Sequence, residues 1–219
     1  MAARGKGPDI TADLVLQAYR CGLFPMAESS EDPALHWYEP RRRGIMPLDA
    51  FHTPRSLAKA VRAERFQVVA DRDFDAVLAG CARAAPGREK TWINGTIREL
   101  YGELFRRGFC HTIETYHGGA LVGGLYGVAI GGAFFGESMF HTMTDASKVA
   151  LVHLAARLRR GGYRLLDAQF VTTHLAIFGA IEIDKALYQR LLAQALTAAP
   201  GGACWTSDLD GRETLAALA

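Results

Sequence analysis

Paired cysteines are missing from this sequence. Cys21, Cys81, Cys110 and Cys204 form no C-x-x-C pair, so neither a zinc knuckle nor a disulfide framework is expected, and a reducing cytoplasm suits them. Nucleotide loops are missing as well: the glycines make no G-x-G-x-x-G or P-loop, and Gly136-Glu-Ser-Met-Phe140 lacks the second glycine of a serine nucleophile elbow. Long apolar runs are scarce. The one uncharged stretch of note, residues 118–136, has eight glycines among its 19 residues and runs into Glu137, a poor membrane span. The N-terminal Met1-Ala-Ala-Arg-Gly-Lys-Gly-Pro8 lacks the apolar core of a signal peptide, so a cytoplasmic location without membrane attachment is expected. Neither sign of charge dominates, with 25 Lys and Arg against 23 Asp and Glu, so the global balance carries no weight. His111, His117 and His153 follow no metal-ligand spacing, so no metal is expected.

What is present is local. Residues 41–65 hold seven basic side chains against Asp49 and Glu64, a balance of 7 − 2 = +5 in a chain of net charge +2. Residues 11–21 predict a helix with Leu14, Val15 and Ala18 on one side and Gly22 as terminator. A proline-marked irregular stretch, 25–47, leads to Thr53 as N-cap and Pro54 at the first helical position. Residues 66–70 predict a strand, 73–83 a helix and 96–107 another, with Ile97, Leu100, Tyr101, Leu104 and Phe105 spaced to bury one face. Strands follow over 109–116, 121–130 and 133–140, the last two joined by Gly131-Gly132. Asp145 opens a helix to Leu158, a strand runs 163–170, Asp184 opens a helix to Ala195, and a last strand falls near Cys204. This order predicts an α+β fold of the GCN5-related acyltransferase kind, a mixed sheet flanked by helices, over residues 51–219, with a small N-terminal unit over 1–50.

Acyltransferases of that kind that use acetyl-CoA carry an Arg/Gln-x-x-Gly-x-Gly/Ala loop before the helix after the third consecutive strand, where backbone amides hold pyrophosphate. Residues 136–148 contain no such loop. Instead, Glu137 interrupts one apolar strand, and Asp167 and Gln169 interrupt another, Leu165-Leu-Asp-Ala-Gln-Phe170. A strand period of two puts Asp167 and Gln169 on one face. Polar groups in an expected interior need a reason. They either satisfy buried backbone groups or do chemistry, and spacing alone leaves both readings open.

Several blocks together are specific. They are Leu14-Val-Leu-Gln-Ala-Tyr-Arg-Cys-Gly-Leu-Phe-Pro25, Trp37-Tyr-Glu-Pro-Arg-Arg-Arg-Gly-Ile-Met-Pro47, Phe51-His-Thr-Pro-Arg-Ser56, Thr91-Trp-Ile93, Leu121-Val-Gly-Gly-Leu-Tyr-Gly-Val128, Phe134-Phe-Gly-Glu-Ser-Met-Phe140, Ala146-Ser-Lys148, Leu166-Asp-Ala-Gln169 and Gly179-Ala-Ile-Glu-Ile183. In this order the chain resembles the bacterial leucyl/phenylalanyl-tRNA–protein transferase family from residue 14 to about residue 190. Met26 and Ala168 depart from the residues commonly found there. The resemblance implies transfer of Leu or Phe, less readily Met, from Leu-tRNA or Phe-tRNA to the α-amino group of proteins with N-terminal Arg or Lys, which marks them for N-degron degradation. The ester is already activated, so no cofactor is implied, and positioning supplies much of the acceleration.

Within that resemblance Gln169 accepts a hydrogen bond from the attacking amine, Asp167 orients it, and Glu137 meets a positive group, either the aminoacyl amine or the acceptor N-terminus. Leu125, Phe134, Leu151, Leu154 and Leu166 match the family's apolar donor pocket. Strict alternation places Phe135 rather than Phe134 on the Glu137 face, and a bulge near Gly136 reconciles the two. Trp37, Trp92 and Tyr101 match positions for the terminal adenosine of tRNA, where exposed rings stack on an unpaired base. Arg55, Lys59 and Arg62 recur at helical spacing as contacts for the tRNA backbone. The rivals are a CoA-dependent N-acetyltransferase, a peptidoglycan-building aminoacyl-tRNA transferase of similar fold and a non-catalytic tRNA-binding protein.

Overall fold

The computed structural model describes residues 10–32, 34–84 and 91–219. Helix α1 (Ala12–Arg20) begins where the Thr11 hydroxyl accepts the Leu14 N–H at 3.2 Å, and it buries Val15, Leu16 and Tyr19. The stretch read as irregular holds three short strands: β1 (Phe24–Met26), β2 (His36–Tyr38) and β3 (Arg42–Ile45). β1 and β2 pair with each other. Their three or four residues are too short to show a period of two.

Next come α2 (Arg55–Arg62), β4 (Gln67–Ala70), α3 (Phe74–Ala82) and α4 (Gly95–Arg106). Then β5 (Cys110–His117), β6 (Ala120–Ile130) and β7 (Ala133–His141) form an antiparallel run, with the hairpin turn at Gly131-Gly132 as expected. Helix α5 (Ala146–Gly161) leads to β8 (Leu165–Gln169), a short α6 (Thr173–Ala176), β9 (Ile181–Asp184) and α7 (Lys185–Leu196). The strand expected near Cys204 is instead a helical turn, α8 (Ala203–Thr206), followed by α9 (Gly211–Ala216). Asp184 caps α7 as expected, accepting the Leu187 N–H at 2.8 Å. Two expected caps do not form. Thr53 leaves its hydroxyl without a partner, so α2 starts after Pro54, and Asp145 takes a left-handed φ of +71° and pairs with Lys148 instead.

Among the described residues the main sheet has seven strands in the order β4-β5-β6-β7-β8-β3-β9. β7 and β8 are parallel and every other neighbouring pair is antiparallel. β3, from the segment expected to be a separate unit, sits between β8 and β9, which continues the sheet into the N-terminal segment. One face is covered by α1, α3, α4 and α7, and the other by α2, α5 and the C-terminal helices. No helix among the described residues is long and apolar enough to cross a membrane.

Candidate active site

β7 and β8 run together for three pairs, Ala133–Leu165, Phe134–Leu166 and Phe135–Asp167, and then part. A backbone irregularity marks each side of the parting. In β7, Tyr126 pairs with Ser138 while Gly127 pairs with Gly136, which leaves Glu137 as the extra residue of a bulge. In β8, Gln169 holds a φ of +55°, and the Phe170 N–H returns to the Ala168 carbonyl at 2.6 Å. This γ-like turn costs about 1 to 3 kcal/mol for a residue other than glycine and persists only where its surroundings hold it. Gly44 of β3 passes directly beneath, where a Cβ would lie 2.7 Å from the Phe170 carbonyl carbon.

The parting opens a cavity of about 400 Å³, within the usual range for small-ligand sites. Its apolar wall is Met46, Leu125, Met139, Leu151, Leu154 and Leu166, and Glu137, Asp167 and Gln169 form the polar side. Phe24, Met26, Trp92, Phe170, His174 and Leu175 are also on the lining. No cluster of three or more candidate metal ligands occurs among the described residues.

The polar side is fixed by contacts from five other elements. Asp167, fully buried, accepts Arg43 Nη2 at 2.6 Å, Arg43 Nε at 2.9 Å and the Tyr188 hydroxyl at 2.6 Å. Its Oδ1 also accepts the Gln169 backbone N–H at 2.8 Å, which holds the turn. The Arg43 guanidinium lies 4.5 Å from the Phe24 ring centre and 4.6 Å from that of Tyr188, and its Nη1 donates to the Gly22 carbonyl at 2.9 Å. Burial opposes the charge on Arg43, but Asp167 overrides it and the guanidinium pKa rises. The Gln169 side-chain nitrogen donates to Glu137 Oε1 at 3.1 Å, which leaves the amide oxygen to accept. Glu137 also accepts Tyr19 at 2.6 Å and Tyr101 at 3.2 Å. Burial pushes its carboxyl up to about 7, although both tyrosines pull it down.

The residues singled out from sequence divide. Glu137, Asp167, Gln169, Leu125, Leu151, Leu154, Leu166 and Trp92 all line the cavity. Asp167 and Gln169 are joined through the Gln169 backbone rather than its amide, since the left-handed turn sends the two side chains to different partners. A bulge occurs near Gly136 as expected, yet Phe134 is fully buried behind the wall and packs 5.7 Å from Trp205. Tyr101 presents no exposed ring to stack on a base, because it is fully buried and edge-on to Tyr126. Trp37 packs half-buried on the core from β2. Arg55, Lys59 and Arg62 form the exposed side of α2, opposite buried Leu57 and Val61. Arg43, counted with the basic cluster, is an internal counter-ion. Tyr19, Tyr188 and Arg43 were missed as site residues, although Tyr19 and Arg43 lie inside blocks that carry the family resemblance.

The family model described as leucyl/phenylalanyl-tRNA protein transferase matches residues 45–193, and the model of that family's N-terminal domain matches residues 8–41. A leucyl/phenylalanyl-tRNA–protein transferase of Nitrobacter winogradskyi is 56% identical over 90% of this chain and 87% of its own. Those of Afipia carboxidovorans and Rhodopseudomonas palustris are 57% identical over 86% of this chain and 83% of theirs, and 54% identical over 96% and 94%. The split sheet thus frames the cavity of an aminoacyltransferase, and the chain belongs to the leucyl/phenylalanyl-tRNA–protein transferase family.

Proposed function

We propose that the chain transfers Leu or Phe, and less readily Met, from its tRNA ester to the α-amino group of proteins that begin with Arg or Lys, and so marks them for N-degron degradation in the cytoplasm. The observation that carries this reading is a free amide oxygen and a carboxylate set at the edge of an apolar cup where β7 and β8 part. Leu and Phe side chains have no polar handle, so an apolar cup selects them by shape and burial. An N-terminal amine has a pKa of about 7.7 to 8.0 and is partly neutral near pH 7. Gln169 accepts a hydrogen bond from that amine, while Asp167 acts as a positioning residue through the Gln169 N–H. Glu137 faces the ammonium charge. Trp92, which lines the cavity, stacks on the terminal adenosine in this reading, and Arg55, Lys59 and Arg62 meet tRNA phosphates.

The test is incorporation of labelled Leu from Leu-tRNA into a peptide with N-terminal Arg, with RNase-treated donor and an Ala-initiated peptide as controls. Label in the Arg peptide alone, lost with RNase, is expected. Gln169→Ala should slow single-turnover transfer roughly 100-fold, the scale of losing a preorganised polar contact, while tRNA binding persists. Equal labelling of both peptides would overturn the acceptor specificity, and no labelling would overturn the transfer reading.

A further inference from the structure

Three oxygen contacts close a ring at the polar side of the cavity. Tyr19 Oη lies 2.6 Å from Glu137 Oε1, Tyr101 Oη lies 3.2 Å from Glu137 Oε2, and the two phenol oxygens touch at hydrogen-bond distance. Each hydrogen bond needs one proton. The phenols supply two, so with Glu137 ionised one contact must lack a proton. Tyr19 donates to Oε1, and the single proton of Tyr101 serves both the Tyr19 oxygen and, over the longest contact of the ring, Oε2, which is left with spare accepting capacity. Oε1 is further occupied by the Gln169 side-chain nitrogen at 3.1 Å. A third proton, placed on Oε2 and directed at Tyr101, gives every contact its proton in one circular chain.

We propose that Glu137, closed into a ring by Tyr19 and Tyr101, is the base that takes one proton from the α-ammonium of the acceptor protein. This rests on the transferase reading above. In the first step an N–H bond of the ammonium breaks and an O–H bond forms at Glu137 Oε2, which leaves a neutral amine and a carboxylic acid. The amine lone pair then forms the C–N bond at the ester carbonyl carbon. The C–O bond to the ribose breaks, and the second proton lost by nitrogen leaves on the ribose oxygen. Glu137 gives the first proton to water when product departs, so charge and atoms balance with no further reactant.

The surroundings suit a base that works near neutrality. Facing Glu137 are Tyr19 from α1, Tyr101 from α4, Cys110 from β5, Tyr126 from β6, Arg43 from β3, and Asp167 and Gln169 from β8. Burial, chiefly, keeps both ring phenols protonated far above neutrality, so they serve as donors and not as bases. Burial also lifts Glu137 itself to about 7, which matches a catalytic base to the working pH. Asp167 lifts Glu137 further and Arg43 opposes it. Tyr19 and Tyr101 act through Glu137 and are positioning residues.

The test compares two acceptor peptides with Leu-tRNA in single turnovers across pH. One has an ordinary N-terminal Arg, and the other replaces its α-amine by a hydrazide that is already neutral below neutral pH. Tyr19→Phe, Tyr101→Phe and Glu137→Gln, each checked for folding and tRNA binding, should slow the ordinary acceptor at least tenfold more than the hydrazide at acid pH. Glu137→Gln should also erase the rate inflection near neutrality that belongs to the enzyme rather than the amine. Equal slowing of both acceptors, or an unchanged inflection in Glu137→Gln, would overturn the ring as a proton acceptor. Wild-type transfer to neither acceptor would overturn the transferase reading and the ring's role with it.

Discussion

The two walls of the cavity are built on opposite principles. The apolar wall, Leu125, Leu151, Leu154 and Leu166, is continuous with the core on the α5 face of the sheet, and each of these residues is at least 95% buried. Such burial contributes roughly 1.5 to 3 kcal/mol per side chain, so this wall stabilises the fold while it shapes a site. The polar wall does the reverse. Its left-handed Gln169 holds backbone strain beside the bulge at Glu137, and its fully desolvated Arg43–Asp167 pair carries a cost that well-packed apolar residues would avoid. The comparison separates residues that the fold needs from residues it tolerates, and the residues proposed for the chemistry fall in the second group.

The largest expected effect breaks the polar wall at its counter-ion. Arg43→Met leaves Asp167 buried and unpaired and should destabilise the protein by about 3 to 5 kcal/mol. Adding Asp167→Leu removes the orphaned charge, so denaturant melts of the double variant should recover most of that loss. Transfer should stay slow, because the Gln169 N–H then lacks the acceptor that holds its turn. A double variant with wild-type turnover would make the pair a scaffold with no part in positioning Gln169.

Next is the apolar wall. Leu151→Ala and Leu154→Ala should each destabilise by about 2 to 5 kcal/mol. Where folding persists, transfer at limiting donor should weaken for Leu and Phe while the saturated rate falls less. If the saturated rate falls as far as it does in Gln169→Ala, the walls do not divide selection from chemistry.

Glu137→Gln sharpens the comparison through stability. The folded carboxyl titrates at about 7 against an ordinary 4.5. Between those values the folded protein keeps a proton that the unfolded chain has lost, so stability falls as pH rises through this window and stays low above it. Glutamine does not titrate. The variant should therefore be more stable than the parent above neutrality, by about 1 to 3 kcal/mol, with the gap closing as the pH drops toward the ordinary carboxylate range. Thermal melts that show no pH-dependent gap would mean that Glu137 carries no burial cost.

How much of this was legible follows the same division. Glu137, Asp167 and Gln169 stood out because each breaks an apolar strand, whereas the leucines of the other wall came from the family resemblance, since each reads singly as ordinary core. Their partners did not stand out. Arg43 sits in Arg41-Arg42-Arg43 and reads as a surface charge, although it pairs with Asp167 124 positions away. Tyr101 reads as a core or base-stacking aromatic and Tyr19 only as part of a family block, and the contact between them spans 82 positions. β3 was lost in a proline-rich stretch because four residues, two of them arginine, carry no period. β9, Ile-Glu-Ile-Asp, does alternate, but over too few residues to outweigh a loop reading.

The smallest expected effect lies outside both walls. Arg55, Lys59 and Arg62 are exposed on α2, and the cavity lining includes none of them. Neutralising all three should weaken Leu-tRNA and Phe-tRNA binding alike, since phosphate contacts carry no direct information about the amino acid. Each lost contact should remove roughly 0.7 to 0.9 from the magnitude of the log–log salt slope. Transfer from a short aminoacyl-adenosine, which fills the cavity but has no acceptor stem, should be unchanged within about twofold, because charges beyond a Debye length of about 8 Å are largely screened. A triple variant with an unchanged salt slope would make this stripe a solvated helix face. One that lost transfer from the short donor as well would tie α2 to the cavity walls, through its packing on α5, which carries Leu151 and Leu154.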